Sequence, residues 1–295
     1  MVDIRYVIPA KAGIQSLSSI PLVIYGTLAE VSVGGLFLGG FVPGLLMSVA
    51  LMAIIYIIAR RRGYPREPWP PLAHIGRAFL RGLPGLLAPI IIMGGILGGI
   101  FTPTEAAVAA SVYALFVGVV IHRELKWRDL VQITWDTIDQ TVRVMFIIST
   151  AGLFGWLLVY LRAPTAIVNA MTELASYPWQ ALLVLNVVLL VLGCFMEGIA
   201  IMLLMVPICL PILAKFGLSP LHFGVVMTLN LMIGLLTPPV GMVLYAMSTI
   251  ANVPIARLVR ELVPFIAALM IVLLLITYIP ALVTWLPERV MGVSR

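Results

Sequence analysis

Residues 180–214 read QALLVLNVVLLVLGCFMEGIAIMLLMVPICLPILA and hold one charged side chain, that of Glu197. As one straight α-helix this stretch would be about 52 Å long, whereas the hydrocarbon of a bilayer is about 30 Å thick. The stretch must therefore bend. Its only charge meets a glycine at Met196-Glu197-Gly198, so we predict a helical hairpin with its tip there, near mid-membrane depth.

The composition of the whole chain agrees with a membrane location. Hydrophobic residues make up 62% of the sequence and charged residues 10%, against about 25% charged residues in ordinary soluble domains. Apolar stretches of about 20 residues, the length that a helix needs to cross a bilayer, recur along the chain. They lack the alternating pattern of barrel strands. The sequence therefore predicts an all-α polytopic membrane protein.

The formal net charge of +6 comes from short basic clusters between the apolar runs. Such clusters mark the cytoplasmic side of membrane proteins, and none is a basic module large enough to fold alone. We therefore expect no nucleic-acid partner and place residues 60–81, 122–128 and 257–260 in the cytoplasm. The loop at 214–219 is then periplasmic, and membrane lipid surrounds the apolar runs.

Apolar runs alternate with charged or proline-rich stretches, and this alternation predicts six segments. They are a leader at 1–18, a transmembrane segment at 19–62, a cytoplasmic linker and interfacial helix at 63–82, a transmembrane pair with a cytoplasmic loop at 83–131, a helical region at 132–260, and a terminal transmembrane helix with a tail at 261–295. Residues 126–143 are too polar to span the membrane and predict an interfacial helix anchored by Trp127 and Trp135.

Glu197 has two interpretations. An ionisable residue at membrane depth is a candidate functional residue. Alternatively, Glu197 caps the N-terminus of the second hairpin arm, an interaction that stabilises a helix by about 0.3–1 kcal/mol near a surface. The two roles are compatible.

Residues 234–241, GLLTPPVG, form a second interruption in the middle of an apolar run. Two adjacent prolines cannot lie inside an unbroken helix. The N–H groups that Pro238 and Pro239 lack would have paired with the carbonyls of Gly234 and Leu235. We expect those carbonyls to be free to bind a cation, because irregular backbone at this depth persists only against protein or a hydrated cavity. A plain proline kink is the alternative.

Thr237 adds a hydroxyl to this region and is predicted to be the N-cap of a second half-helix that begins at Pro238. A helix N-terminus attracts anions. A discontinuous helix that offers carbonyls to a cation and a positive end to a carboxylate is typical of secondary transporters. The predicted ion-binding residues are Gly234, Leu235, Thr237, Pro238 and Gly241, and the predicted substrate-binding or hairpin-tip residues are Met196, Glu197, Gly198 and Pro239.

Thr102-Pro103-Thr104-Glu105 matches a helix capping box, with Thr102 as the N-cap and Glu105 at the third helical position. A helix start buried at membrane depth is unusual. We therefore keep Thr102, Thr104 and Glu105 as a secondary candidate site that faces the same cavity.

The sequence contains no arrangement typical of an enzyme. His74, His122 and His222 are isolated, and no zinc-protease motif, nucleophile elbow or Walker phosphate loop is present. Cys194 and Cys209 lie in apolar runs and are predicted to be packed core thiols. We expect no enzymatic activity, no cofactor and no resident metal, and an ion gradient as the energy source for transport.

Several motifs together suggest a family. They are MEGIA at 196–200, the segment between the two prolines at 207–211, HFGVV at 222–226, GLLTPPVG at 234–241 and, more weakly, GIFTPTEAA at 99–107 and the segment at 20–44. With these motifs in this order, the chain resembles the large membrane subunit of tripartite ATP-independent periplasmic (TRAP) transporters from about residue 19 onward.

The resemblance implies an inverted-repeat, elevator-type carrier with a re-entrant hairpin and a discontinuous helix in each repeat. It also implies Na+ as the coupling ion, a small organic acid such as a C4-dicarboxylate or a sialic acid as the substrate, and the bacterial inner membrane as the location. The implied partners are a small four-helix membrane subunit and a periplasmic solute-binding protein. Residues 132–260 then correspond to the second repeat.

The first repeat is matched only by a remnant at 19–62. The glycine- and serine-rich first hairpin of the family is absent, and of the Ile-Pro-Pro-Ser break only Ser19 matches. We expect half of the ion and substrate site to be missing. We expect one of two origins for this difference. Either residues 1–18 are a foreign start joined to a truncated gene, or another polypeptide supplies the missing part of the first repeat. The alternative function is a truncated membrane remnant that does not transport.

Overall fold

The computed structural model describes residues 20–64, 71–123 and 125–292, so the predicted leader at 1–18 lies outside the described residues. The described ranges contain twelve α-helices and no β-strand. In chain order the helices are α1 (Ile20–Leu28), α2 (Val33–Arg61), α3 (Leu72–Leu97), α4 (Pro103–Phe116, continued by a π-helical turn at Val117–Ile121), α5 (Trp127–Tyr160), α6 (Ala163–Leu174), α7 (Pro178–Phe195), α8 (Gly198–Phe216), α9 (Pro220–Gly234), α10 (Met242–Ala251), α11 (Ile255–Tyr278) and α12 (Ala281–Met291).

Six of the described helices are long and apolar enough to cross a membrane: α2, α4 with its π-helical turn, α5, α7, α8 and α11. This number of spans confirms the prediction of an all-α polytopic membrane protein. Helices α9 and α10 are apolar but shorter than a span.

Three helices extend through stretches that the sequence predicted to be separate segments. Helix α3 already begins at Leu72, α5 runs unbroken through the polar residues 127–143, and α11 contains Arg257 and Arg260. The helix predicted at 126–143 is therefore not separate from the span that follows it, and its interfacial position stays a prediction. Charged side chains on an exposed helix face do not end a helix, because their long stems leave the charge in a polar environment while the backbone continues. The predicted segment boundaries after residues 82, 131 and 260 fall inside these helices.

The described chain divides into two compact units, and the boundary after Ile147 falls within α5. The unit formed by the described residues between 63 and 147 contains α3 and α4, which pack against each other. The hydroxyl of Tyr113 on α4 donates a hydrogen bond to the carbonyl of Pro84 on α3 at 2.8 Å. The ring of Phe101, in the turn between the two helices, lies against Gly95.

The other unit, described at residues 20–62 and 148–292, has α9 at its centre. Thirteen of the fifteen α9 residues are buried, and the helix packs against α1, α2, α7, α8, α11 and α12. Helix α9 has no charged side chain and no polar face, and its few polar side chains are buried, so the helix is stable only where neighbours cover every side. The sequence of α9 therefore explains its central position.

Polar side chains of this unit pair with backbone carbonyls of neighbouring helices. The Tyr25 hydroxyl on α1 donates to the carbonyl of Pro220 at 2.7 Å, and Nε2 of His222 on α9 lies 2.7 Å from the carbonyl oxygen of Ile276 on α11. Buried polar groups are costly unless they are paired. Cys194 and Cys209 are both buried and form no disulfide, which confirms that they are core thiols.

Candidate functional site

The turn between α7 and α8 lies where the sequence predicted the hairpin tip. Helix α7 ends at Phe195, Met196 is extended, and Glu197 is the N-cap of α8. The Glu197 carboxylate accepts a hydrogen bond from the N–H of Ala200 at 3.0 Å, which satisfies one of the helix N–H groups that lack an intrahelical partner. The predicted bend at Met196-Glu197-Gly198 and the capping role of Glu197 are confirmed.

The second interruption separates α9 from α10. Helix α9 ends at Gly234, and α10 begins only at Met242, after an N-cap at Gly241 with φ of 52°. The prediction that Thr237 caps a half-helix beginning at Pro238 is therefore wrong. Glycine adopts this left-handed backbone without a steric penalty. Helix α10 therefore begins at Met242, four residues after the predicted start at Pro238.

The carbonyls that were predicted to be free have partners. The Gly234 carbonyl accepts from the N–H of Thr237 at 2.9 Å, and the Leu235 carbonyl accepts from the N–H of Val243 at 3.4 Å. The Thr237 hydroxyl donates to the carbonyl of Ile233 at 2.7 Å. The prediction is wrong because the backbone after α9 tightens into a turn and supplies donors that a regular helix would place elsewhere. A carbonyl oxygen has two lone pairs, so each retains a second acceptor position.

The two interruptions meet each other. The N–H of Gly241 donates a hydrogen bond to the carbonyl of Cys194 at the end of α7, at 3.0 Å. A Cβ atom built on Gly234 would lie 2.7 Å from the Cα atom of Gly193, so the backbones of α7 and α9 touch there. Gly198, at the start of α8, faces the side chain of Leu231. We call residues 193–198 and 234–241 together the helix-end junction.

The predicted ion-binding and hairpin-tip residues lie on the two segments of the helix-end junction, which touch at Gly193 and Gly234 and at Cys194 and Gly241. The ends of α7 and α9 carry partial negative charge and the starts of α8 and α10 carry partial positive charge. The groups that the junction offers are backbone carbonyls, the Thr237 hydroxyl and the Glu197 carboxylate. Oxygen atoms of these kinds are the ligands that hard cations prefer.

A buried polar network lies one to two helical turns before the junction, and the sequence analysis did not identify it. Asn230 on α9 donates through Nδ2 to Oδ1 of Asn186 on α7 at 2.7 Å. Asn186 in turn donates to the hydroxyl of Thr277 on α11 at 3.1 Å. Oδ1 of Asn230 is buried and accepts no hydrogen bond within the part of the chain that the structure describes. Asparagines inside apolar runs were the signal that could have revealed this network.

The Thr102 region lies in the other compact unit. The Glu105 carboxylate accepts from the backbone N–H and the hydroxyl of Thr102 at 2.8 and 2.9 Å, and the N–H of Glu105 lies 3.4 Å from the Thr102 hydroxyl oxygen. The capping box is therefore confirmed. Thr102, Thr104 and Glu105 are exposed, and their role as a secondary site stays a prediction.

Sequence comparisons agree on one family. The sequence model of the tripartite ATP-independent periplasmic transporter, DctM component, matches residues 18–282. The chain is 40% identical over 277 residues to the sialic acid TRAP transporter large permease protein SiaM of Vibrio cholerae. It is 41% identical over 276 residues to the C4-dicarboxylate TRAP transporter large permease protein DctM of Pseudomonas aeruginosa.

A third relative is the isethionate TRAP transporter permease protein DctMQ of Oleidesulfovibrio alaskensis, at 41% identity over 271 residues. The alignments cover 94%, 94% and 92% of this chain, which spans 65% of the length of the first two relatives and 43% of the third. All three are named as transporter permeases and not as enzymes. With the six apolar spans, these matches identify a multi-pass inner-membrane protein, and the chain belongs to the DctM component family of tripartite ATP-independent periplasmic transporters.

Proposed function

We propose that this chain acts in sodium-coupled transport of a small organic acid, as the large permease subunit of a TRAP transporter. The observation that carries the proposal is the helix-end junction, where the α7–α8 interruption and the α9–α10 interruption meet through the Gly241–Cys194 hydrogen bond. Discontinuous helices with this arrangement bind coupling ions and anionic substrates in secondary transporters. The relatives named for sialic acid, C4-dicarboxylate and isethionate support an organic acid as the substrate.

The electrostatics of the junction support separate roles for its helix ends. The carbonyl ends of α7 and α9, with the Thr237 hydroxyl, would hold Na+, because backbone carbonyls and helix C-termini favour cations. The amide ends of α8 and α10 would attract the carboxylate of the substrate. In this proposal Gly234, Leu235 and Thr237 are ligands of the ion, and Met196 to Gly198 lie beside the substrate.

Transport requires partners in this proposal. We infer that a small four-helix membrane subunit and a periplasmic solute-binding protein work with the chain, and that an elevator-type movement carries the junction across the membrane. The turn at Met196-Glu197-Gly198 is then the tip of a re-entrant hairpin.

Uptake into proteoliposomes tests the proposal. The vesicles hold this chain and the small subunit, with the binding protein outside, and receive labelled C4-dicarboxylates, sialic acid and isethionate under an inward sodium gradient. We expect accumulation of one class of acid that disappears when the gradient is removed. No uptake of any acid, beside an active full-length relative, would support the alternative of a non-transporting remnant.

A matched pair of threonine variants tests the ion site. Thr237→Ala removes a hydroxyl at the junction that also donates to the carbonyl four residues earlier. Thr249→Ala removes the same kind of hydrogen bond, to Tyr245, on α10 outside the junction. We expect Thr237→Ala to weaken the apparent sodium affinity at least about tenfold, since hydrogen bonds and contacts to charged groups contribute about 1.5–3 kcal/mol, and Thr249→Ala to leave it unchanged. Equal sodium dependence in both variants would exclude Thr237 from the site.

A further inference from the structure

A cleft of about 380 Å³ lies between the end of α2 and the start of α11, within one compact unit. Its floor is apolar and consists of Ile54, Ile57 and Ile58 from α2 and Pro264 from α11. Ile57 is 45% exposed although it is fully apolar. The cleft therefore offers an apolar surface on which a hydrocarbon chain can pack.

The rim of this cleft is basic. Arg61, Arg62, Arg260 and Glu261 line it, and Glu261 is the only acidic residue among the lining residues. Three arginines and one glutamate give the rim a formal net charge of +2. The Glu261 carboxylate pairs with Arg62, with Oε2 and Nη2 2.6 Å apart. Arg61 and Arg260 are exposed at the rim.

The charged rim and the apolar floor are arranged along the helix axis. Arg61 follows Ile54 by seven residues, a separation of about 10 Å along a helix. Basic clusters at helix ends mark the cytoplasmic face, so the rim lies at the level of the lipid headgroups and the floor lies in the hydrocarbon. The cytoplasmic leaflet is the one that carries anionic lipids, and basic pockets between transmembrane helices bind their headgroups.

We propose that this cleft binds one anionic phospholipid of the cytoplasmic leaflet. The lipid phosphate lies between Arg61 and Arg260, and one acyl chain packs on Ile54, Ile57 and Ile58. Charge complementarity selects an anionic headgroup, and the apolar floor distinguishes a lipid from a free phosphate. Glu261 pairs with Arg62 at the rim, and Arg61 and Arg260 supply the positive charge for the phosphate.

Native mass spectrometry of the purified full chain tests the proposal. The protein is equilibrated in a neutral maltoside detergent with equal amounts of a phosphatidylglycerol and a phosphatidylethanolamine that have the same acyl chains. We expect the unmodified chain to retain the phosphatidylglycerol preferentially. We expect the double variant Arg61→Gln/Arg260→Gln to retain it about tenfold more weakly, because each arginine near the surface contributes to anionic lipid binding.

The control removes the same charge elsewhere. Arg60 lies over the ring of Tyr56, 5.7 Å from its centroid, and neither Arg60 nor Arg257 lines the cleft. The double variant Arg60→Gln/Arg257→Gln should therefore retain phosphatidylglycerol like the unmodified chain. An equal loss in both double variants would show attraction by net charge alone and would overturn the proposal.

Two further experiments distinguish a bound lipid from a free phosphate ion in the cleft. Inorganic phosphate in excess should not displace the lipid, and Ile57→Asn should weaken retention although no charge changes. Displacement by phosphate, or unchanged retention in Ile57→Asn, would overturn a lipid site.

Release of the lipid on addition of the small membrane subunit would assign the cleft to a protein contact instead. If the arginine double variant does not stay monodisperse, the single variants Arg61→Gln and Arg260→Gln take its place, and unchanged retention in both would overturn the proposal.

Discussion

The helix-end junction and the turn before α4 contain similar residues but are built differently. Both place a threonine before a proline, and both have a carboxylate that caps a helix start. At the turn before α4 the hydrogen bonds of the cap join Thr102 and Glu105, three residues apart. At the junction the Gly241–Cys194 hydrogen bond joins residues that are 47 positions apart in the chain. A helix interruption thus becomes a candidate binding site where distant backbone segments meet, and the Thr-Pro pair alone does not identify one.

The largest effect is expected from a side chain at the backbone contact of the junction. In Gly234→Leu, even the first added atom would lie 2.7 Å from the Cα atom of Gly193, and a backbone cannot move aside as a side chain can. We expect the free energy of unfolding to fall by about 3 kcal/mol or more, measured by thermal denaturation in detergent. The control Gly94→Leu, on α3 in the other unit, places its Cβ in open space and should not destabilise the protein, since replacing a glycine inside a helix stabilises the helix by about 0.5–1 kcal/mol. Equal effects of the two changes would refute the close contact.

The buried polar network of Asn186, Asn230 and Thr277 should give the next largest loss of stability. Asn186→Leu removes the side-chain acceptor of Asn230 Nδ2 and the donor to the Thr277 hydroxyl, while the backbone carbonyl of residue 186 stays as an acceptor for Asn230 Nδ2, at 2.9 Å. We expect a loss of about 2 kcal/mol. The double variant Asn186→Leu/Asn230→Leu should recover part of this loss, because it removes both members of the Asn186–Asn230 hydrogen bond. Simple addition of the two single effects in a double-mutant cycle would contradict a coupled network.

The cap before α4 should have a smaller and local effect. Thr102→Ala removes the hydroxyl of the capping box and should cost about 1 kcal/mol. Glu105→Gln retains an acceptor for the Thr102 N–H and should be almost neutral, since glutamine also completes a capping box. Hydrogen exchange should increase in the first turn of α4 for Thr102→Ala and stay unchanged in residues 193–198. Increased hydrogen exchange in residues 193–198 would show that the turn before α4 and the helix-end junction are energetically coupled.

The smallest effect is expected for Glu197→Ser. Serine is a good N-cap residue and can accept the hydrogen bond of the Ala200 N–H. The change therefore removes the charge but retains the cap, and we expect thermal stability within about 0.5 kcal/mol of the unmodified chain. A loss above about 1 kcal/mol would show that the carboxylate charge itself holds the junction together.

The positions of both interruptions were predictable because they follow from local chemistry. A single charge beside Gly198 in a run too long for one helix, and the adjacent Pro238 and Pro239, are visible in the sequence alone. The all-α class was predictable for the same reason, since continuous apolar runs of this length form helices in a membrane.

The remaining features depend on contacts between distant segments. The Leu235 carbonyl is paired because the backbone after the prolines brings the N–H of Val243 next to it, and no local pattern encodes that approach. The contact of Gly193 with Gly234 requires the packing of α7 against α9. The basic clusters were visible, but whether Arg257 and Arg260 end a helix or continue it depends on what covers the helix face.

The burial of both cysteines has a practical consequence for measuring movement. Cys194 and Cys209 are the two cysteines of the chain, and both are enclosed in the core. A thiol introduced on an exposed helix face, such as at Tyr245 on α10, would therefore react with a maleimide spin label far faster than either native cysteine. Pulsed electron paramagnetic resonance could then follow the distance between α10 and a second labelled helix in the otherwise unaltered sequence.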